Sequence, residues 1–92
     1  MSVEMNITTD HRQIRLWAER SGGRPVREPV GGTTVVVPRI EFKPDPRGRP
    51  QECSWEDWFE SFDRAGLALL YQEREPDGSP STFSKLVQRD PA

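Results

Sequence analysis

Residues 54–72 read SWEDWFESFDRAGLALLYQ and join a helix pattern directly to a strand pattern. Ser54 suits a helix N-cap, and Gly66 suits the position just after a helix end. Between them, four aromatic residues recur at i, i+3, i+4 and i+7, on one side of a helix: Trp55, Trp58, Phe59 and Phe62. The largely apolar run at residues 67–72 is typical of a central strand covered on both faces. We therefore predict a helix whose aromatic stripe enters the core, followed at once by a central strand.

A second helix and three further strands are predicted outside this segment. Asp10 or Thr9 can cap a helix over residues 11–21, which a pair of glycines would end because glycine adopts the left-handed conformation readily. Strands are expected at residues 24–30, 33–42 and 82–89, the first at a sheet edge because of its prolines and the second with a bulge or bend at Pro38. Residues 43–50 contain three prolines and are expected to form an exposed loop. The order α-β-β-α-β-β predicts an α+β fold, with two helices packed on a small, mainly antiparallel four-stranded sheet.

The chain is short enough for a single domain. It has 92 residues, of which 33% are hydrophobic, so its core must be thin. We expect a flexible leader at residues 1–8, a single α+β domain at residues 9–89 and a tail at residues 90–92. The longest apolar run, Leu67 to Tyr71, is far shorter than the roughly 20 residues that cross a bilayer, so no membrane partner is expected.

The single cysteine, Cys53, cannot form an internal disulfide or a multi-cysteine zinc site. A secreted domain of this size usually needs such crosslinks, and the N-terminus lacks the basic start and apolar run of a signal peptide. We therefore expect a cytoplasmic protein. The residues predict no catalytic set, no metal site and no cofactor.

The charges divide unevenly along the chain. Residues 1–50 hold nine Lys and Arg against six Asp and Glu, which gives +3, whereas residues 51–92 hold four against nine, which gives −5 and a total of −2. This division predicts a basic face and an acidic face. Because arginine matches phosphate geometry, the candidate partner-binding residues on the basic face are Arg12, Arg15, Arg20, Arg24, Arg27, Arg47 and Arg49. Those on the acidic face are Glu56, Asp57 and Glu60.

Cys53 and His11 have side chains with the chemistry for catalysis. Cys53 precedes the predicted cap at Ser54, and a helix N-terminus lowers the pKa of a thiol. A Cys53–His11 pair could then act as nucleophile and base. Alternatively, Cys53 is a small packed residue, and His11, whose acidic neighbour in sequence is Asp10, is a polar residue at a helix start.

Three blocks of the sequence are similar, in order and spacing, to a family of small bacterial proteins. The blocks are TTDH with IR.WAE and GG.P (residues 8–25), SWEDWF with FD and LALLYQ (residues 54–72), and S.F.KLV.R (residues 81–89). Residues 26–50 are richer in Pro and Arg than the family pattern. Some members are labelled glucan branching enzyme, a chemistry that needs two carboxylates across a sugar in a deep cleft, as on a barrel of about 250 residues. The resemblance therefore implies a compact bacterial domain and supplies no mechanism.

These observations favour a non-enzymatic interaction module that binds a protein partner or self-associates through a sheet edge or a charged face. One alternative is a nucleic-acid-binding accessory protein that uses the arginine face, although the net charge of −2 argues against strong affinity for phosphates. A third hypothesis is a thiol-dependent enzyme or redox sensor at Cys53.

Overall fold

Two helices and six strands make up the fold in a computed structural model that describes residues 5–48 and 50–89. In chain order they are β1 (Met5–Thr8), α1 (His11–Arg20), β2 (Arg24–Pro29), β3 (Val36–Glu41), β4 (Gln51–Glu52), α2 (Trp55–Arg64), β5 (Leu67–Gln72) and β6 (Ser84–Gln88). The strands form two antiparallel sheets, with the strand orders β1-β5-β6 and β3-β2-β4. The predicted α+β class is confirmed, whereas the predicted single four-stranded sheet is wrong.

Residues 5–8 of the predicted flexible leader form β1, so that prediction is wrong there. β1 pairs along the edge of β5. Its apolar side chains, Met5 and Ile7, are exposed, and the polar side chains that alternate with them are half-buried. The four residues do alternate apolar and polar, but four residues are the minimum for a strand pattern, and the sequence alone placed them in the leader. Residues 1–4 and the predicted tail at residues 90–92 lie outside the described residues.

β2 lies between β3 and β4, although its prolines predicted a sheet edge. The carbonyl of Pro25 accepts a hydrogen bond from the N–H of Cys53 at 3.1 Å, on the β4 side. Backbone groups in antiparallel strands point to alternate sides, so Pro25 and Pro29 both face away from β3. By the same alternation, the backbone groups of Pro38, which pairs with Arg27, point to the outer side of β3, away from β2. None of these prolines therefore removes a β2–β3 hydrogen bond, and the register runs unbroken past Pro38, without a bulge there.

Two strands are shorter than predicted. β3 begins at Val36 rather than three residues earlier, because the N–H of Val30 donates to the carbonyl of Val35 at 2.8 Å and closes a turn there. β6 begins at Ser84, two residues later than predicted. Phe83, expected on one face of that strand, precedes it and is 49% exposed.

Of the two candidate caps for α1 the structure uses Asp10, and α2 has the predicted cap at Ser54. The side chains of Asp10 and Ser54 each accept a hydrogen bond from the N–H three residues on, at 2.9 and 3.0 Å. Gly22, at φ 79°, ends α1 in the left-handed region. The chain then passes close to β3, since a Cβ atom on Gly23 would lie 2.7 Å from Cγ2 of Ile40. These contacts fix where α1 ends and β2 begins.

The aromatic stripe of α2 joins the two sheets. Trp58 and Phe62 are fully buried, Phe59 is nearly so, and Trp55 is half-buried. α2 contacts β2 and β3 of one sheet and β5 of the other. The indole Nε1 of Trp58 donates to the carbonyl of Arg39 in β3 at 2.9 Å, and its ring stacks on Phe62 at a centroid distance of 5.2 Å. The predicted burial of the stripe is thus confirmed, and the stripe also bridges the sheets.

We expect Trp58→Ala to lower the free energy of unfolding by about 3–5 kcal/mol, because truncating a large buried side chain leaves a cavity. Trp55, on the same stripe but only half-buried, provides the matched control, and Trp55→Ala should lose less. Urea unfolding followed by far-UV circular dichroism measures both. A loss in Trp58→Ala no larger than that in Trp55→Ala would show that Trp58 does not anchor α2.

Candidate interaction cleft

The predicted arginine face is divided among separate ion pairs. Arg24 binds Glu41 and Glu52, Arg47 binds Asp45, and Arg15 binds Glu19. Arg12 and Arg20 are exposed without an ion pair to the described residues, Arg27 is half-buried beside Cys53, and Arg49 lies outside the described residues. Because acidic partners neutralise several of these arginines, the structure does not bring them together as one unpaired cationic surface.

The predicted acidic residues are exposed along α2 but have different surroundings. Glu56 and Asp57 lie in its first turn, where the positive end of the helix dipole favours negative charge. Glu60 binds Arg64 one turn further on, and an exposed pair of this kind contributes little to stability. The acidic residues therefore suit the helix locally and remain accessible to solvent.

His11 pairs with Asp63, a partner 52 residues away in the sequence. Its Nε2 lies 2.9 Å from Oδ2 of Asp63, and its ring stacks on Phe59 with centroids 4.1 Å apart. Arg89 donates to the other carboxylate oxygen of Asp63 at 3.1 Å. The hydrogen bond with His11 lowers the pKa of Asp63, and Arg89 adds to this effect against the opposing effect of burial. This cluster fastens the start of α1 to the ends of α2 and β6.

Cys53 is half-buried just before the N-cap of α2. Burial raises the pKa of its thiol, although the nearby Arg27 opposes the rise. His11 instead contacts Phe59 and Asp63 further along this helix and is not among the described groups that act on the Cys53 thiol, so the two residues do not form the nucleophile–base pair considered from the sequence. Within residues 5–48 and 50–89, no group of three or more His, Cys, Asp or Glu side chains could hold a metal ion.

A cleft of about 430 Å³ separates the two sheets between their edge strands β3 and β6. Residues 37–40 of β3 and residues 84–86 of β6 line its two sides. Leu67 and Leu69 of β5 also line it, and Leu69 belongs to the buried core. The cleft therefore combines strand backbone on both sides with apolar side chains that continue into the core.

The outer edge of β6 presents a row of backbone hydrogen-bonding groups. Next to β6, the N–H of Arg89 donates to the carbonyl of Gly66 at 2.7 Å, and the N–H of Gln72 donates to the carbonyl of Phe83 at 3.2 Å. Because successive residues of an antiparallel strand face alternate sides, these bonds establish which residues of β6 face away from β5. The outward-facing residues are Ser84, Leu86 and Gln88.

The opposite wall of the cleft is less suited to pairing with another strand. Pro38 faces outward from β3 and has no N–H to donate. The side chain of Arg39 forms an ion pair with Glu28 across the β2–β3 ladder. Proline and charged side chains on an edge strand discourage pairing with another chain. β6 also carries one exposed charged side chain, Lys85, but it has no proline, so all three of its outward-facing residues keep their N–H groups.

Exposed apolar side chains lie at the β2–β3 turn, beside the cleft. The exposed residues of this group are Val30, Val35, Val36 and Val37. Val37 also lines the cleft. The valine run predicts only a strand, and the cleft has no signal in the sequence, because the cleft forms between segments about 50 residues apart in the sequence.

Comparison of the chain with protein-family models, curated proteins and solved structures finds no match. The resemblance of three sequence blocks to small bacterial proteins therefore stays a prediction. Among the described residues, neither ten-residue helix is long and apolar enough to cross a membrane.

We expect native Cys53 to react slowly with iodoacetamide at pH 7, because the thiolate is the nucleophile and burial raises the pKa of this thiol. The reference is the same protein in denaturing urea, where the thiol is exposed and should react faster. Intact-mass spectrometry of timed samples measures both rates. A native rate equal to or above the unfolded rate would contradict this expectation and favour the thiol-dependent hypothesis.

Proposed function

We propose that the chain is a non-enzymatic interaction module that binds an extended segment of a protein partner along the outer edge of β6. The observation that supports this most strongly is the row of outward-facing backbone groups at Ser84, Leu86 and Gln88, beside a cleft of about 430 Å³. In strand addition of this kind, main-chain hydrogen bonds provide affinity, and neighbouring pockets provide specificity for side chains.

The side chains around the cleft favour an added strand. Leu86 and Ile40 pack against the core from opposite walls of the cleft, yet both stay half-buried. A strand placed beside β6 would cover them, and burial of apolar surface contributes roughly 25 cal/mol per Å². The added strand would therefore gain hydrophobic contacts together with backbone hydrogen bonds.

The other strand edges in the described part of the chain are less suited to this role. β4 has two residues, and β3 has Pro38 at the middle of its outer edge. β1 offers two outward-facing residues, Met5 and Ile7, against three on β6. β6 therefore offers the longest run of available backbone donors and acceptors among these edges.

The polar clusters of the described residues support binding rather than catalysis. His11, Asp63 and Arg89 engage one another across three elements, so their polar atoms serve to hold the fold together. The raised pKa of Cys53 keeps its thiol protonated at neutral pH. We place the module in the cytoplasm, where a lone thiol stays reduced.

The test compares a variant in which the outer edge of β6 is blocked against a matched control. Ser84→Pro with Gln88→Pro removes two outward N–H groups, whereas Ser84→Ala with Gln88→Ala keeps them and removes similar side-chain atoms. Each lost hydrogen bond costs about 0.5–1.5 kcal/mol, so the loss of two should make the proline variant bind a captured partner at least about fivefold more weakly than the control. Thermal melts first establish that both variants fold.

Capture from a host lysate, with and without nuclease, provides the measurement. A protein that the control retains and the proline variant loses, with nuclease present, is the expected result. Equal capture by both variants would refute binding at the β6 edge. Retention of nucleic acid that moderate salt releases would instead favour the nucleic-acid hypothesis, and concentration-dependent dimers lost only in the proline variant would identify a second copy as the partner.

A further inference from the structure

The two faces of β6 differ in chemistry. Leu86 pairs with the buried Leu69 and packs against the core, so its side chain lies on the cleft face. Lys85 pairs with Leu70 and, because side chains alternate along a strand, projects from the opposite face. Lys85 is exposed and forms no ion pair with any described residue. The edge of β6 thus presents an unpaired cation between side chains that face the cleft.

We propose that the segment bound at β6 alternates apolar and acidic residues, with an acidic side chain opposite Lys85 and apolar side chains opposite Ser84 and Leu86. This inference rests on the proposed function, because it names the chemistry of the segment bound there. An added strand continues the pleat of β6, so its side chains alternate between the same two faces. The added strand's side chains on the cleft face would lie against Leu86 and Ile40. The side chain between them would lie on the opposite face, beside Lys85.

Antiparallel addition brings the acidic residue close to Lys85. Ser84 and Leu86 would form the hydrogen-bonded pairs with the added strand, which leaves Lys85 in a non-hydrogen-bonded pair with Cα atoms about 4.5 Å apart. Opposite charges in such a pair are stabilising, and like charges are destabilising. Lys85 has no acidic partner among the described residues, so none of them would compete with a carboxylate from the added strand.

The test uses two end-blocked peptides, Thr-Val-Glu-Val-Thr and Thr-Val-Lys-Val-Thr, titrated into isotope-labelled protein and followed by NMR. The glutamate peptide should shift the amide signals of Ser84, Leu86 and Gln88. It should also bind about two- to tenfold more tightly than the lysine peptide, from the difference between an opposite-charge and a like-charge pair. Lys85→Glu should reverse this preference. The charge-matched control is Arg12→Glu, an exposed residue that does not line the cleft, and it should retain the preference.

Three other outcomes would overturn the inference. Equal affinities of the two peptides, with shifts at the β6 amides, would overturn the acidic specificity while strand addition at β6 stands. A preference unchanged in Lys85→Glu would also overturn it, because the selectivity would then come from another residue. Absence of shifts at the β6 amides with either peptide would overturn the inference as well. The proposed function is decided separately, by comparing lysate capture by the proline variant and its alanine control.

Discussion

The aromatic stripe of α2, laid across two separate sheets, is the constraint on which the rest of the structure depends. Each sheet has three short strands and needs a second layer to bury one face. Trp58 and Phe62 supply that layer for both sheets, and the bond from Trp58 to the carbonyl of Arg39 attaches β3 to the helix directly. The cleft follows from this arrangement, because the helix holds β3 and β6 near each other without pairing them.

The elements that sequence analysis predicted correctly are those with local causes. The spacing from Trp55 to Phe62 defines α2, and the side chains of Asp10 and Ser54 cap the helices within three residues of themselves. The division into two sheets depends on pairings distant in sequence. β1 occupies the second edge of β5, and β4 occupies that of β2, so the β2–β3 and β5–β6 hairpins cannot merge through their central strands. β1 itself was missed because its alternating pattern is only four residues long and its pairing partner, β5, is distant in sequence.

The same limit applies to the candidate site. Counting charges along the chain predicted an arginine face, but Arg24 meets Glu41 only through the register of β2 and β3. His11 meets Asp63 only because the start of α1 packs on the end of α2. The free edge of β6 also depends on register, since its outward-facing residues are known only once the pairing with β5 is known. Lys85 was visible in the sequence, but the sequence could not show that it forms no ion pair with the residues that the structure describes.

The central claim is that β6 has a free outer edge beside the cleft, and residue-resolved amide hydrogen exchange of the protein alone tests it most directly. Lys85 and Val87 donate toward β5, whereas the amides of Ser84, Leu86 and Gln88 face outward. If the edge is free, the amides of Lys85 and Val87 should exchange slowly, and those of Ser84, Leu86 and Gln88 should exchange fast. Protection of Leu86 equal to that of Val87 would contradict it, because another group would then already cover the edge.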